Sequence, residues 1–309
     1  MTAIALKRFV HRKIAVAPPR SYYNICINVL GFNALRTVVY HLSWKLRGLI
    51  GNYKATDDDT RMFERDGIIS IENFLPDEDF KKIRADFEKT ELNPIYQQYS
   101  NVPQFAYKSV GQIFHCQNEL LHALIVKNPR LRKIVEFGAR RKIGILPTLI
   151  YERFHADREE QLFGQSPDRS DTLHYDVPFN SMRAFLYLAD ADEDNAAFIY
   201  SPGTHKFSWK RVRFECYDSI KQALKRAAAP NSRIEEIDED LLADIGHNPK
   251  SMVGKANTLV IFNAMGMHKR GKFRKFTARE SLLICYRGLD TPSNFLFRLP
   301  FLRNYLKVG

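Results

Sequence analysis

The stretch "TLHYDVPF", Thr172 to Phe179, decides how this chain is read. In a β-strand, side chains two apart project to one face, so His174 and Asp176 point together while Tyr175 points away. An imidazole nitrogen and a carboxylate on one face are two adjacent ligands for a divalent cation. Two histidines plus one carboxylate, with the opposite side open, is the ligand set of non-haem Fe(II) oxygenases. The triplet fits equally a buried core histidine followed by an acidic turn former ahead of Pro178. The rest of the chain must therefore supply a third ligand.

The remaining histidines sort by context. His11 and His41 lie in a basic N-terminal region, and His115 and His122 flank helical sequence. His155 opens a polar loop, His205 sits in the turn "SPGTHK", and His247 follows Gly246. His268 closes the strand-like run "NTLVIFNAMGMH". A residue at the end of a late strand reaches back to an earlier strand in a barrel, which makes His268 the best geometric candidate without deciding the matter.

Composition sets the frame. The 309 residues are 45% hydrophobic and 27% charged, an ordinary globular balance for one large domain or two small ones. Cys26, Cys116, Cys216 and Cys285 show no C-x-x-C spacing. They read as small buried apolar residues in a reducing compartment rather than as a zinc ribbon or disulfide framework. The net charge of +12 is unevenly spread: residues 1–56 hold nine Lys or Arg and no Asp or Glu. A second basic run, "HKRGKFRKFTAR", spans His268 to Arg279, and "NFLFRLPFLRNYLKVG" mixes aromatics, leucines and cations from Asn294 to Gly309. Such a balance implies acidic partners, although most charge runs are solvated faces.

The uncharged stretch Ser21 to Leu35 contains three asparagines and falls short of the roughly 20 apolar residues of a membrane span. The first residues lack the apolar centre of a signal peptide. The expected location is cytoplasmic, with peripheral contact on the inner face of a membrane. Acids first appear in "ATDDDTR", Ala55 to Arg61, which marks a boundary. Three segments follow: a basic N-terminal extension (1–54), a main domain (55–290) and a basic aromatic tail (291–309). In the extension, Leu35, Val38, Val39, Leu42, Leu46, Leu49 and Ile50 keep helical spacing, with Arg36, Lys45 and Arg47 off that stripe. This amphipathic helix either packs on the main domain or lies on an anionic membrane.

Within the main domain, "DDDTRMFERDG" reads as a short helix stopped by Gly67 and "GIISIENFL" as a strand. "LPDEDFKKIRADFEKTE" reads as a helix capped by Asp77, and Asn118–Val126 and Pro129–Ala139 read as helices. Short strands follow in "ILPTLIYERF", "MRAFLYLAD", "AAFIYSPG", "NTLVIFNAM" and "SLLICYR". Helical inserts are expected near Ile220 to Ala229 and Ile237 to Ile245. Helices first and then short strands with turns indicate a closed β architecture.

Four stretches, in order, resemble the phytanoyl-CoA dioxygenase family of Fe(II)- and 2-oxoglutarate-dependent oxygenases. They are "MFERDGIISIENFLPDEDFKKIRADFEK", "TLHYDVPF", "DEDNAAFIYSPGTHK" and "NTLVIFNAMGMHKRGKFRKFTARESLLICYR", covering about Arg61 to Gly288. In the last, His268 is followed eleven residues later by Arg279. The resemblance implies a mainly β fold with flanking helices (α+β), its core a double-stranded β-helix, or jelly roll. It implies that His174, Asp176 and His268 bind Fe(II). Arg279 would hold the distal carboxylate of 2-oxoglutarate, for which a planar guanidinium suits bidentate contact. With O2, such an enzyme converts 2-oxoglutarate to succinate and hydroxylates an unactivated carbon.

Further pocket candidates are Tyr151, toward the cosubstrate, and Arg153, Arg183, Tyr187, Lys269 and Arg270, toward the substrate. Where the family has Asn-Gly, this chain has Asn195-Ala196, so that turn is expected to differ. Lys269, Arg270 and Lys272 depart from the small or polar residues common after the distal histidine and signal an anionic substrate. Acyl-CoA, a phospholipid-like molecule and an acidic sugar of a glycolipid all fit that charge. The rival reading is a non-catalytic module on the same fold that binds membrane or nucleic acid. No nucleic-acid motif accompanies the positive charge.

Overall fold

The structure, a computed structural model, describes residues 25–89, 93–94, 108–114, 118–143, 147–155, 173–175, 182–228, 243 and 245–286. Helices α1 (Ile25–Val29) and α2 (Phe32–Ile50) precede α3 (Asp58–Asp66) and strand β1 (Ile68–Ile71). Then come α4 (Asp77–Glu88), β2 (Asn93–Pro94), β3 (Lys108–Phe114) and a short α5 (Glu119–Leu121) that continues as a π-helical turn over His122–Val126. Helix α6 (Pro129–Ala139) leads into β4 (Thr148–His155), β5 (Met182–Tyr187) and β6 (Phe198–Tyr200). Helix α7 (Trp209–Ala228) is followed by β7 (Lys250–Met252), β8 (Leu259–Asn263), β9 (His268–Arg270) and β10 (Ala278–Tyr286).

The strands form two antiparallel sheets. The large one has the order β1-β8-β5-β10-β4-β3-β2, the small one β7-β6-β9. This is the expected jelly-roll core with flanking helices. Phe198 of the small sheet meets Phe185 and Phe262 of the large one at ring distances of 5.2 and 4.5 Å, so the two sheets face each other. The other face of the large sheet carries Leu149, Tyr151, Leu186, Leu282 and Ile284, and it packs in one cluster with Phe80, Ile83, Phe87, Leu131 and Ile134 of α4 and α6. Both faces of the large sheet are therefore buried, one under helices and one under the small sheet.

Local chemistry sets the element ends. Asp57 caps α3 by accepting from the Thr60 backbone, and the Thr60 hydroxyl reciprocates. Asp77, expected as the cap of α4, is its first helical residue; Pro76 holds the cap position, where its fixed φ suits a helix start. Helix α7 begins at Trp209, well before the expected Ile220, because the Ser208 hydroxyl accepts from the Arg211 backbone 3.0 Å away. Most of the expected helix at 237–245 lies outside the described residues, as do the tail from residue 291 and Cys116. Cys285 is buried as expected, whereas Cys26 is exposed.

Helix α2 packs on the domain through an unexpected face. Thr37 donates to the Glu215 carboxylate of α7, and the Trp44 indole donates to the Gly138 carbonyl at 2.9 Å. The Arg140 guanidinium lies 4.6 Å above the Trp44 ring. Leu35, Leu42, Leu46 and Leu49 lie on the opposite side and are exposed. The helix rests on the domain, and its apolar stripe points outward.

Gly67 joins α3 to β1 at φ +74°. Its N–H donates to the Phe63 carbonyl and its own carbonyl accepts from Asn263 N, both at 2.8 Å. A Cβ there would fall 2.3 Å from His205 Nδ1 and 2.7 Å from the Tyr200 hydroxyl. Gly67→Ala is expected to lower the unfolding free energy by about 2–4 kcal/mol through left-handed strain and overpacking. Urea denaturation measures it, and a loss within error of zero would show that the junction relaxes freely.

Candidate active site

Strand β9 places His268 inside the jelly roll. Tyr200 pairs with His268 across β6–β9, and Phe198 with Arg270, so by strand alternation these four share the inner face. His174 joins the edge of the small sheet through a single antiparallel bridge to His268. Its N–H donates to the His268 carbonyl at 3.0 Å and its carbonyl accepts from His268 N at 2.8 Å. The two imidazoles consequently lie side by side, 4.4 Å between ring centroids. Residues 94 positions apart in sequence are thus brought into contact, as the clamp requires.

The donor chemistry fits a metal ion. His268 Nδ1 lies 2.8 Å from the Gly266 carbonyl, which only accepts, so Nδ1 carries the proton and Nε2 keeps its lone pair. Phe198, Phe262 and Tyr200 surround that ring at 5.6, 5.4 and 6.5 Å, giving it an apolar wall that holds its orientation. Asp176, the expected carboxylate ligand, lies outside the described residues. Among the described residues no group of three His, Cys, Asp or Glu gathers to hold a metal.

Arg279 is the second residue of β10, and Ser281, two residues on, pairs with Tyr187 of β5. Alternation sets Arg279, Ser281 and Leu283 on the inner face with Phe185 and Tyr187. The Arg279 guanidinium lies 5.7 Å from the Phe185 ring, and it donates to the Ala196 carbonyl at 2.5 Å. Ala196 stands at φ +62°, so the Asn195-Ala196 turn keeps the left-handed geometry that glycine adopts easily. The Asn195 side chain locks it, accepting from Asp192 N and donating to the Asp190 carbonyl, both at 2.8 Å.

The other expected pocket residues divide by face. Arg183 and Tyr187 share the inner face of β5, and Arg270 is buried on the inner face of β9. The Tyr187 hydroxyl donates to the Met252 carbonyl at 2.7 Å, tying the two sheets together, and burial pushes its phenol up to about 12. Tyr151 and Arg153 are corrected. Tyr151 pairs with Leu282 and Arg153 with Glu280, which puts both on the helix-covered face. Tyr151 packs against the Phe87 ring at 4.7 Å, and Arg153 forms an ion pair with Glu280 at 3.2 Å. Lys269 is corrected too: it alternates to the outer face of β9, and with Arg270, Lys272 and Arg274 it lines a pocket of about 170 Å³.

One positioning residue escaped the sequence. Arg211 of α7 is buried, and it donates to Glu215 at 2.7 Å, to the Thr204 carbonyl at 2.9 Å and to the Met265 carbonyl at 3.1 Å. Its guanidinium lies 4.5 Å over the Tyr175 ring. It thereby braces the three loops that carry His174-Tyr175, the "PGTH" turn and the approach to His268. Thr204 supports the same approach by accepting from Met267 N at 2.9 Å. In sequence, Arg211 and Glu215 look like an ordinary (i, i+4) surface pair.

Two antiparallel sheets enclosing paired histidines, with an arginine on an inner strand of the large sheet, form a jelly-roll core. Residues 63–272 match the family described as Phytanoyl-CoA dioxygenase (PhyH), and the chain belongs to that family. It is an Fe(II)- and 2-oxoglutarate-dependent dioxygenase, which removes the non-catalytic reading. The chain is similar to an ectoine dioxygenase of Bordetella bronchiseptica, 25% identical over 248 residues, 77% of each chain. Among solved structures it resembles the epimerase SnoN in complex with Fe3+, alpha ketoglutarate and nogalamycin RO. That match has a TM-score of 0.48 and 15% identity over 78% of this chain and 88% of the other. It also resembles EctD from S. alaskensis with bound Fe, with a TM-score of 0.45 and 15% identity over 75% and 78% of the two chains.

Two predictions follow from this geometry. Arg211→Met leaves the buried Glu215 carboxylate without its guanidinium, so a loss of about 3–5 kcal/mol in unfolding free energy is expected. Chemical denaturation tests it; a loss under 1 kcal/mol would remove the bracing role (roughly the scale of an exposed pair). The second concerns pH. Burial lowers His41 to about 4 and His205 to about 3, below the ordinary imidazole value of 6.5. The unfolded chain then binds protons that the folded chain refuses. Stability is full above about pH 6.5 and falls as pH drops toward 4, by up to about 1.4 kcal/mol per pH unit for each histidine. His205→Gln is expected to shallow that slope in urea titrations run across the window.

Proposed function

We propose that the enzyme hydroxylates an unactivated carbon of an anionic, lipid-linked substrate. Acyl-CoA, a phospholipid-like molecule and an acidic sugar of a glycolipid are the substrate types that fit. The observation that carries this reading is the number of arginines on the inner face beside the paired histidines: Arg183, Arg270 and Arg279. One guanidinium serves the distal carboxylate of 2-oxoglutarate. The others place positive charge beside the paired histidines, which favours an anionic substrate through charge complementarity.

In this reading His174, Asp176 and His268 hold Fe(II), and Arg279 orients 2-oxoglutarate by a bidentate contact. Iron held there would supply oxygen activation, the chemistry by which one oxygen atom of O2 enters a C–H bond and the other enters succinate as 2-oxoglutarate loses CO2. The protein's contribution is geometric. The Gly266 carbonyl fixes the His268 tautomer, the aromatic wall excludes water, and Arg270 with Arg183 directs the anionic end of the substrate. The relative named above is an ectoine dioxygenase. The arginines here favour a different, more acidic substrate. Among the described residues no helix is long and apolar enough to cross a membrane, so contact with a lipid-linked substrate is peripheral in this reading.

The test is succinate formation with Fe(II), O2 and 2-oxoglutarate across acyl-CoA and matched neutral thioesters. Asp176→Ala is expected to abolish turnover and Fe(II) retention. Arg279→Lys is expected to raise the KM for 2-oxoglutarate. Arg270→Gln is expected to raise the KM for the anionic substrate by about 10- to 100-fold, the range of a charge-assisted contact, while the 2-oxoglutarate KM holds. Equal turnover of neutral and anionic compounds would overturn the substrate reading while leaving the reaction class standing.

A further inference from the structure

Helix α2 shows an inversion. The face it presses on the domain carries Thr37, His41, Trp44 and Gly48, each engaged with α6, α7 or their flanking loops. The face it turns outward carries Leu35, Leu42, Leu46 and Leu49, with exposures of 59, 61, 56 and 80%. Ile50, at 78%, extends the stripe at its C-terminal end. The four leucines sit at i, i+7, i+11 and i+14, a single ridge about 21 Å long at the α-helical rise. A helix merely completing the domain would bury such a ridge, because each leucine left in water forgoes the main driving force for folding. A contiguous apolar ridge on a surface marks an interaction site.

The surrounding charge selects the partner. Residues 25–56 contain no Asp or Glu. Lys45 and Lys54 on this segment are exposed. A second copy seated on the ridge would bring like-charged surfaces together, which opposes self-association. An anionic bilayer surface supplies what the ridge lacks, acyl chains for the leucines and negative headgroups for the cations.

We infer that α2 is a membrane-docking helix that lies in the plane of an anionic lipid surface with Leu35, Leu42, Leu46 and Leu49 inserted. It holds the domain there through its opposite face. That face reaches Glu215 of α7 by way of Thr37, and Glu215 is paired with the site brace Arg211. The docked helix and the site are thus joined by one set of buried contacts. This deepens the reading of a lipid-linked substrate, and it is tested without turnover, so failure of either leaves the other separately judged.

The experiment is co-sedimentation of the full chain with vesicles of phosphatidylcholine alone and of phosphatidylcholine with phosphatidylserine. Wild type is expected to bind the mixed vesicles and to be released by high salt, which screens the cationic contribution. The double variant Leu42→Asp/Leu46→Asp is expected to partition at least about tenfold more weakly, since one leucine insertion alone is worth that much. Leu224→Asp, on an exposed leucine of α7, is expected to bind like wild type. Thermal melting checks that the double variant folds; should it not, Lys45→Glu replaces it, with weaker binding to mixed vesicles expected. Wild type ignoring mixed vesicles overturns the proposal. So does a double variant that binds them undiminished, or a loss produced equally by Leu224→Asp. Light scattering that shows a wild-type dimer dissolved by the double variant, without vesicle binding, would assign the ridge to a second copy and overturn it too.

Discussion

Two backbone hydrogen bonds between His174 and His268 organise the candidate site. A lone antiparallel bridge contributes modestly to stability, since each exchanged bond nets about 1 kcal/mol. Its geometric effect is larger, because directly bridged residues place their side chains on one side of the pair. Two imidazoles 94 residues apart therefore meet side by side. The inner aromatic wall of Phe198, Tyr200 and Phe262 gives the His268 ring a fixed surface to lie on.

Around that bridge, the protein uses buried cations with assigned acceptors. Arg211 gives its donors to Glu215 and to two carbonyls, one on each of two loops. Arg279 reaches the carbonyl that the left-handed Ala196 turns inward. A guanidinium offers five donors in a rigid plane, so a single buried arginine can fix several backbone segments at once. These contacts hold the site from the helix side through α7 and from the sheet side through β10. The same α7 receives α2, so the packing of the N-terminal helix and the bracing of the site share the Glu215 carboxylate.

Much of the fold was legible because its strands are short, apolar and punctuated by turns. The helix stop at Gly67 was legible because glycine permits left-handed backbone. His268, expected to close the strand of Leu259 to Asn263, instead opens β9 after a turn, which no local pattern announced. Tyr151 and Arg153 were misplaced because alternation tells which residues share a face, not which buried face that is. On the large sheet both faces are covered, so an aromatic residue suits either. Arg211 was invisible because an Arg–Glu pair at helical spacing resembles a solvated pair until burial is known. The start of α7 was missed although Ser208 carries an ordinary capping signal.

The sequence alone determined the order of the longer helices and of β1, β4, β5, β6, β8 and β10, the His174-to-His268 pairing as a candidate, the amphipathicity of residues 35–50 and the separation of charge along the chain. These depend on periodicity and residue chemistry, which are local properties. Only the tertiary structure decided that β4 turns Tyr151 toward helices, that Arg270 goes inward while Lys269 goes out, and that α2 packs by the face of Thr37, Tyr40, His41 and Trp44. Each is a choice between two faces of one element. A linear pattern leaves that choice open, and long-range packing settles it through the area each alternative buries.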